Sequence, residues 1–426
     1  MFLILLFSSC NKEEELGSDK DSEFIEEEIE FELTEFLWKK MIDRPTYPRK
    51  YHSYYPFIYE GKVIFNNWQL EGYVAMDLET GEEIWNNRGQ TNSERLPAKP
   101  IKVKNKIYTI KASGLREINL DNGEIEVGYL WPVSNEYMDY EFNIDNNTLY
   151  ADVHEFANAV TFSGWVSCPL DRLEEQEWTY FDRQFMINNH GYQRHLAAPV
   201  FFEKPNGEKL MIHFSVYADL GFQNEYFKIE AYNLDKGEPE WVNENSTGGS
   251  LLIPYMEDNK IYFTDNKVIH CVDAGTGKTL WRTAEGSLDQ LNAAGSMVPY
   301  KNSLIVMCRD GRTVAIDKED GQIIWEQPFE GWEAQLYHKG ADPHTANIYN
   351  DRLYYVSAWG RLISMDPNNG SYRSFMFPQF ETDEELELEL FEQDFNDSHI
   401  VISEDGIIYT ADGIRFLAFE VPDKDM

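Results

Sequence analysis

The most regular feature of the chain is a recurring order of short apolar strands and polar turns. The clearest unit spans 61–85: a β-rich strand, a second strand, a turn, and a final strand that ends in a tryptophan. It contains Asp77, Gly81 and Trp85 at its second turn and final strand. A unit that recurs at a fixed interval determines the architecture of a chain before any single strand is assigned. The pattern therefore predicts a repeat protein made of small β-sheets.

Further copies of the unit follow along the chain. Two are nearly complete, with Asp273, Gly277 and Trp281, and with Asp317, Gly321 and Trp325. Four weaker copies keep Asn233, Gly237 and Trp241; Asn119 and Gly123 with Val127 in place of the tryptophan; Asp366 and Gly370 with Ser374 in that place; and Asp171 and Trp178 without the glycine. Asp or Asn bonds the backbone of its own turn, and glycine supplies the positive φ. A tryptophan on an outer strand can cover the gap between neighbouring sheets, burying on the order of 200 Å².

The turn and strand that open each unit occur eight times, which sets the number of sheets. They lie at 61–65, 105–108, 147–150, 207–210, 259–262, 302–305, 351–354 and 406–409. The eighth unit lacks its own outer strand, and 36–39 has the character to supply it. Such a closure removes exposed sheet edges. We predict an all-β, eight-bladed β-propeller with four-stranded blades, closed by an N-terminal strand that completes the last blade.

The Ala-x-Asp-x-x-Thr-Gly-x-x-x-Trp unit resembles the repeat of pyrroloquinoline-quinone-type, or quinoprotein-like, propellers over roughly 36–421. That family includes quinoprotein alcohol dehydrogenases and a lipoprotein subunit of the outer-membrane β-barrel assembly machine. For a dehydrogenase, the resemblance implies two adjacent cysteines, a calcium ion held by Glu and Asn, and an Asp base. No adjacent cysteine pair occurs here. Zinc, phosphate-loop and serine-elbow motifs are also missing from the sequence. We therefore predict no enzyme activity and no cofactor, with a quinone-dependent dehydrogenase as the least favoured function.

The first 32 residues differ from the rest. An apolar run over 2–7 is too short to span a bilayer and ends at Cys10 in a lipobox-like sequence. The acidic segment that follows has few aromatic residues, which is typical of a solvated tether. We predict a lipoprotein signal peptide over 1–10 with lipid attachment at Cys10, a flexible tether over 11–32, and the propeller over 33–426.

Charge excludes one class of partner. The chain has 75 acidic and 37 basic residues, a formal net charge of -38. A polyanion is repelled by such a charge, so we predict no binding to nucleic acid.

Long connections between blades should open on one face of the ring, and they supply the candidate binding residues. The connections carry aromatic, amide and cationic side chains that suit a protein interface or a sugar: Trp131, His190, Arg194, Trp332, Tyr337, His338 and His344. Turns between second and third strands add Arg309, Trp359 and Arg361, and Arg309 and Arg361 loosely match partner-contacting arginines of the assembly lipoprotein. The tryptophans could instead plug the ends of the ring. His338 and His344 have no recognised metal-ligand spacing, so no metal site is predicted.

These observations favour a non-catalytic, lipid-anchored protein of the cell envelope that binds a protein partner in outer-membrane assembly or in a surface complex. It would be attached to the outer membrane, on its periplasmic side or at the surface. The alternative is a surface propeller that binds or cleaves glycans, which the 15% aromatic content also suits.

Overall fold

The computed structural model describes residues 31–32, 36–41, 53–67, 72–87, 100–111, 114–129, 142–157, 160–172, 175, 177–185, 192–218, 225–246, 254–265, 268–283, 296–307, 312–327, 346–356, 361–376, 399–411 and 415–422. In these residues every helix or strand element is a β-strand. None of the elements placed by the structure is a helix long and apolar enough to cross a bilayer.

Two short strands precede the first blade, and blades 1 to 4 follow. The leading strands are β1 (Phe31–Glu32) and β2 (Trp38–Met41). Blade 1 consists of β3 (Ser53–Tyr59), β4 (Lys62–Asn67), β5 (Gly72–Asp77) and β6 (Glu83–Asn86). Blade 2 consists of β7 (Ile101–Val103), β8 (Lys106–Lys111), β9 (Gly114–Asn119) and β10 (Ile125–Tyr129). Blade 3 consists of β11 (Phe142–Asp145), β12 (Thr148–Ala157), β13 (Val160–Pro169) and β14 (Glu177–Phe185). Blade 4 consists of β15 (Tyr192–Glu203), β16 (Lys209–Ala218), β17 (Glu225–Asn233) and β18 (Glu238–Ser246).

The second half of the chain continues in the same way. Blade 5 consists of β19 (Tyr255–Glu257), β20 (Lys260–Asp265), β21 (Val268–Asp273) and β22 (Thr279–Arg282). Blade 6 consists of β23 (Ser296–Tyr300), β24 (Ser303–Met307), β25 (Thr313–Asp317) and β26 (Ile323–Gln327). Blade 7 consists of β27 (Asn347–Tyr349), β28 (Arg352–Val356), β29 (Arg361–Met365) and β30 (Tyr372–Met376). Blade 8 contributes β31 (Val401–Ile402), β32 (Ile407–Ala411) and β33 (Arg415–Glu420).

The eight sheets form the predicted propeller. In blades 1 to 7 the four strands of the blade pair in chain order, antiparallel. First strands of neighbouring blades are in contact between blades 3 and 4, 7 and 8, and 8 and 1. Apolar clusters lie between successive blades. In one of them Ile305 and Ala315 of blade 6 pack with Leu353 and Ile363 of blade 7. The core is therefore a ring of inter-blade layers.

The ring closes as the sequence predicts. Strand β2 pairs antiparallel with β33, with Trp38 opposite Ala418, and completes blade 8. The Leu37 N–H also donates to the Ala418 carbonyl at 2.9 Å. Strand β1, two residues that the sequence analysis assigns to the tether, pairs parallel with the outer strand β30 of blade 7. The N-terminal segment thus contributes one strand to blade 7 and one to blade 8.

Each repeat tryptophan docks on the following blade. Its indole N–H donates to a turn carbonyl there, and its ring covers the turn glycine. The pairs are Trp38 with Leu78 and Gly81, Trp85 with Leu120 and Gly123, Trp241 with Ala274 and Gly277, Trp281 with Lys318 and Gly321, and Trp325 with Pro367 and Gly370. The five N–H to O distances lie between 2.9 and 3.2 Å. A Cβ on any of the five glycines would lie within 2.4 to 2.7 Å of the ring, so the glycine is required for space as well as for φ.

The residue opposite each docking tryptophan is small. The pairs across the third and fourth strands are Ala75 with Trp85, Ala231 with Trp241, Cys271 with Trp281, Ala315 with Trp325, and Ala418 with Trp38. In blades 1, 4, 5 and 6, a β-bulge lies directly next to this pair. The alanine of the repeat thus leaves room for the indole, and the bulge redirects the outer strand.

Two of the losses in the repeat occur in matched pairs. Blade 2 has Val127 where the tryptophan is expected, and blade 3, on which it would dock, lacks the turn glycine. Blade 7 has Ser374 in that place, and blade 8 has no turn between its third and fourth strands because the chain supplies the fourth from the N-terminus. The glycine is therefore dispensable where no ring covers it, although blade 4 keeps Gly237 where blade 3 has no docking tryptophan.

Blade 3 departs further from the repeat than the sequence indicates. The Leu170 N–H donates to the Asn147 carbonyl, as Leu78 does to Gly61, so Pro169 and not Asp171 occupies the position of Asp77. Glu177 pairs with Ser167, the position that faces the tryptophan in other blades, and Trp178 pairs with Val166. The assignment of Asp171 and Trp178 to the repeat was therefore out of register, because the bulge of this outer strand lies at Thr179.

Candidate functional site

Most of the predicted binding residues lie outside the described residues. These are Trp131, His190, Arg309, Trp332, Tyr337, His338, His344 and Trp359, and the predicted lipid-attachment residue Cys10 also lies outside them. Arg194 and Arg361 lie within strands. Arg194 is in the first strand of blade 4, opposite Val216, and Arg361 begins the third strand of blade 7, opposite Met376.

The strand directions place Arg194 and Arg361 on one face of the ring. In an antiparallel four-stranded blade, the turn between second and third strands and the connection to the next blade lie at the same end. We call this end the connection face; Lys111, Ala218 and Asp265 end second strands there. The opposite end, with Gly61 and Gly81, is the turn face. Both arginines stand at or near strand ends on the connection face.

Blades 3 and 4 extend further towards the connection face than the described strands of the other blades. Their second strands have 10 residues each, against five or six in the other blades. Strand β15 has 12 residues, although the other first strands have two to seven. At about 3.3 Å per residue, four extra residues add roughly 13 Å. The raised sector consists of residues 154–157, 160–163, 182–185, 192–195, 215–218 and 225–228.

Directly beneath the raised sector, blades 3 and 4 meet in a polar junction. Asp152, Trp165 and His213 are fully buried there, and Asp152 lies directly opposite Trp165 on the adjacent strand. The Trp165 and His213 rings meet edge to face, with centroids 6.3 Å apart. Burying ionisable groups costs free energy unless they are hydrogen-bonded, so this junction depends on directed contacts more than an aliphatic layer does.

Polar contacts also join blades 3 and 4 towards the turn face. The Lys209 ammonium lies 2.9 Å from the Asp145 carboxylate, and the Asn143 amide donates to the Pro199 carbonyl at 2.8 Å. The Tyr150 and Phe201 rings pack nearby in a tilted arrangement, with centroids 4.7 Å apart. At this junction a Cβ added to Gly237 would meet only the Tyr232 hydroxyl, at 3.7 Å, and no tryptophan ring. Ion pairing and hydrogen bonding thus take the place of tryptophan docking at the base of the raised sector.

An ionic cluster on the turn face of blade 4 makes stability depend on pH. Lys236 lies 2.9 Å from Glu208, and Lys204 pairs with both Glu208 and Glu240. Hydrogen bonds from Lys236, and next from Asn206, lower the pKa of Glu208 to about 2. A lowered folded-state pKa contributes stability above the unfolded pKa, which is lost as pH falls through the folded pKa.

We expect the free energy of unfolding to fall between about pH 4.5 and pH 2, and Glu208→Gln to flatten that part of the curve. Urea unfolding measured at a series of pH values tests this. Glu124→Gln, an exposed change on the same face, should keep the wild-type slope. Equal slopes for wild type and Glu208→Gln would contradict the assignment.

The two cysteines in the described residues are free thiols packed inside blades. Cys168 and Cys271 are buried in third strands, and burial raises the pKa of the Cys168 thiol to about 11 and that of Cys271 to about 12. Thiols with raised pKa values are poor nucleophiles and poor metal ligands. Cys271 instead serves as the small residue opposite Trp281. Within the described ranges, no group of three or more His, Cys, Asp or Glu side chains is arranged to hold a metal ion.

Sequence reasoning missed the raised sector, although a signal for it exists. In blades 3 and 4 the turn that opens the unit is followed by a second strand of 10 residues. More residues therefore separate this turn from the next one than in the other blades. Strand lengths are the least certain part of a sequence-based assignment, because alternation does not say where a strand stops.

A closed ring of four-stranded sheets with a tryptophan of one blade docked on the next defines the class of protein as a β-propeller. Its repeats are similar to those of pyrroloquinoline-quinone-type, quinoprotein-like propellers, as the resemblance implies. The family described as outer membrane protein assembly factor BamB matches residues 223–420, from blade 4 to blade 8.

Individual relatives are similar over limited stretches. The quinohemoprotein alcohol dehydrogenase of Comamonas testosteroni is 30% identical over 126 residues, 27% of this chain and 18% of the relative. The outer membrane protein assembly factor BamB of Shewanella oneidensis is 28% identical over 148 residues, 33% of this chain and 37% of the relative. The matches therefore span less than two fifths of either relative. A solved quinohemoprotein alcohol dehydrogenase from Pseudomonas putida superposes with a TM-score of 0.57 at 11% identity, covering 92% of this chain and 77% of that one, which shows the shared fold.

Proposed function

We propose that the protein is a non-catalytic scaffold of the cell envelope that binds a protein partner on its connection face, in outer-membrane assembly or in a surface complex. The observation that carries the proposal is the raised sector, a departure from the repeat that is concentrated on one face. Elements that position a binding surface commonly depart from a repeat on one side only, because the scaffold remains under packing constraints elsewhere.

The similarity to the BamB family supports the choice of pathway. It covers residues 223–420 and so includes the last two strands of blade 4 and the four blades that follow. Attachment to the outer membrane through a lipid at Cys10 is part of the proposal and rests on the lipobox-like sequence.

The absence of activity is supported by the cysteines. The sequence has no adjacent cysteine pair, and two of its four cysteines, Cys168 and Cys271, are packed within blades. In this family, adjacent cysteines are implied for the quinone-dependent enzymes, so the site that would hold the quinone lacks its most distinctive residues.

Site-specific photocrosslinking in intact cells tests the proposal. A photoreactive phenylalanine analogue is introduced at Arg194 and at Arg361 on the connection face, and at Glu79 and Glu404 on the turn face as matched exposed controls. We expect one envelope protein to be crosslinked reproducibly from the first two positions and not from the controls. Equal crosslinking from both faces, or recovery of polysaccharide alone, would contradict a protein-binding connection face, and the second result would favour glycan binding.

A further inference from the structure

The outer edges of the blades differ in whether they can accept another strand. An outer strand presents unpaired backbone N–H and C=O groups, which pair readily with any extended chain unless the edge is shortened, bulged or covered. In the described residues one outer edge is covered: β1 adds to β30 in parallel, with Phe31 opposite Phe375. The molecule itself therefore shows strand addition at a blade edge.

Bulges separate the protected edges from the open ones. In β6, β18, β22 and β26 a bulge interrupts the pairing next to the docking tryptophan, and β18 has a second irregularity. A bulge twists an edge away from further pairing. Strand β30, which has no docking tryptophan, is paired without irregularity over all five of its residues, and it is the edge that β1 covers. In β30, loss of the tryptophan thus accompanies a regular, pairing-competent edge.

The edge of β14 combines regularity with length. After the bulge at Thr179, residues 180–185 pair with 160–165 in unbroken register. Six residues extend about 20 Å. The sequence of β14, Glu-Trp-Thr-Tyr-Phe-Asp-Arg-Gln-Phe, is rich in strand-forming residues and contains no proline, glycine or lysine. Among the described strands, none pairs with its outer side. Natural proteins rarely leave such an edge uncovered, because it promotes aggregation.

We infer that residues 180–185 of β14 bind an extended strand of a protein partner through backbone hydrogen bonds. The inference rests on the proposed function, since it specifies how a partner engages the raised sector, to which 182–185 belong. The charge of the chain favours a neutral or basic partner strand. A second copy would bring another formal charge of -38 to the interface, which opposes self-association.

A peptide probe tests the inference. The probe is a dye-labelled nine-residue peptide of alternating threonine and valine with a lysine at each end, and its binding to the full chain is followed by fluorescence anisotropy. Two variants, Asp182→Pro and Arg183→Pro, are compared. Neighbouring residues of an edge strand direct their N–H groups to opposite sides, so one variant blocks the outer edge and the other breaks a bond to β13. We expect the outward variant to keep the wild-type melting temperature within a few degrees and to bind the probe at least tenfold more weakly.

The regular but shorter edge of β10 provides the matched control. Glu126→Pro and Val127→Pro form the same pair of changes there, and whichever stays folded should bind the probe as wild type does. No binding by the wild-type chain, or unchanged binding by the folded β14 variant, would overturn the inference. Equal binding of a probe with glutamate at each end would overturn the choice of a neutral or basic partner. A dimer detected by light scattering that is lost in the outward variant would identify a second copy as the occupant and overturn the inferred partner.

The two proposals fail separately. If the probe binds at β14 but no protein is crosslinked from Arg194 or Arg361 in cells, the edge is competent and the proposed function is wrong. If a partner is crosslinked but substitutions in β14 do not change binding of the probe, the proposed function is supported and strand addition at β14 is wrong.

Discussion

Replacing Gly321 with alanine is expected to lower the free energy of unfolding by about 3–5 kcal/mol. The left-handed backbone, with φ of +75°, costs a non-glycine residue about 1–2 kcal/mol. The added Cβ would also lie 2.4 Å from the Trp281 ring, so the ring must leave its site on the turn. Losing a packed tryptophan costs about 3–5 kcal/mol when the side chain is truncated, and displacement forfeits part of that amount. Urea unfolding followed by circular dichroism measures the change.

Gly207→Ala is the matched control for this prediction. Gly207 has a φ of +86° on the same face of the ring, but a Cβ there would meet no atom within 4 Å. Only the backbone cost of about 1–2 kcal/mol should remain. If both variants lose the same stability, the glycine of the repeat is retained for its φ alone, and the docking explanation is wrong.

Trp38→Ala is expected to destabilise the protein by about 3–5 kcal/mol and to promote aggregation. Trp38 is 7% exposed, donates to the Leu78 carbonyl at 2.9 Å, and lies against Gly81 of blade 1. It is therefore the side chain that joins the N-terminal strand of blade 8 to the next blade. Without it, β2 is retained mainly by its backbone pairing with β33, and transient loss of β2 exposes that edge.

Leu37→Ala is the control on the same segment. Leu37 is 52% exposed, and the N–H that bonds to Ala418 is unchanged by the substitution. Its effect should stay within about 0.5 kcal/mol. Chemical unfolding gives the stability, and static light scattering at 37 °C gives the aggregation. Similar losses in both variants would show that the strand contributes through its backbone and not through the docked ring.

The fold could be predicted because its signals are local and repeated. Asp77 accepts hydrogen bonds from the backbone N–H groups of Glu79 and Thr80, at 3.0 and 2.9 Å, which is the turn chemistry that the residue types predict. The closing role of the N-terminal strand could also be predicted, because the eighth unit lacks a strand and one segment remains to supply it. Counting units and edges requires no knowledge of distances.

The binding surface could be predicted only in part. Arg194 was assigned to a connection and lies in β15, because blade 4 extends its strands into what the spacing suggests is a loop. Blade 3 was read out of register at Asp171 and Trp178, because a bulge of one residue changes which side chains are opposite one another and leaves no mark in the sequence.

The sequence by itself determined the number of blades, the turn chemistry, the closure of the ring and the family of its repeat, since each depends on residues that are close in the chain or recur at a fixed interval. The tertiary structure decided which residues meet across blades. The tryptophan of one unit packs on the glycine of the next, 36 to 45 residues away, so the loss of one and the loss of the other become related only when the blades are side by side. The tertiary structure also decided the raised sector, the polar junction beneath it and the open edge of β14. These features depend on strand register and strand length, and the alternation of apolar and polar residues does not determine either of them.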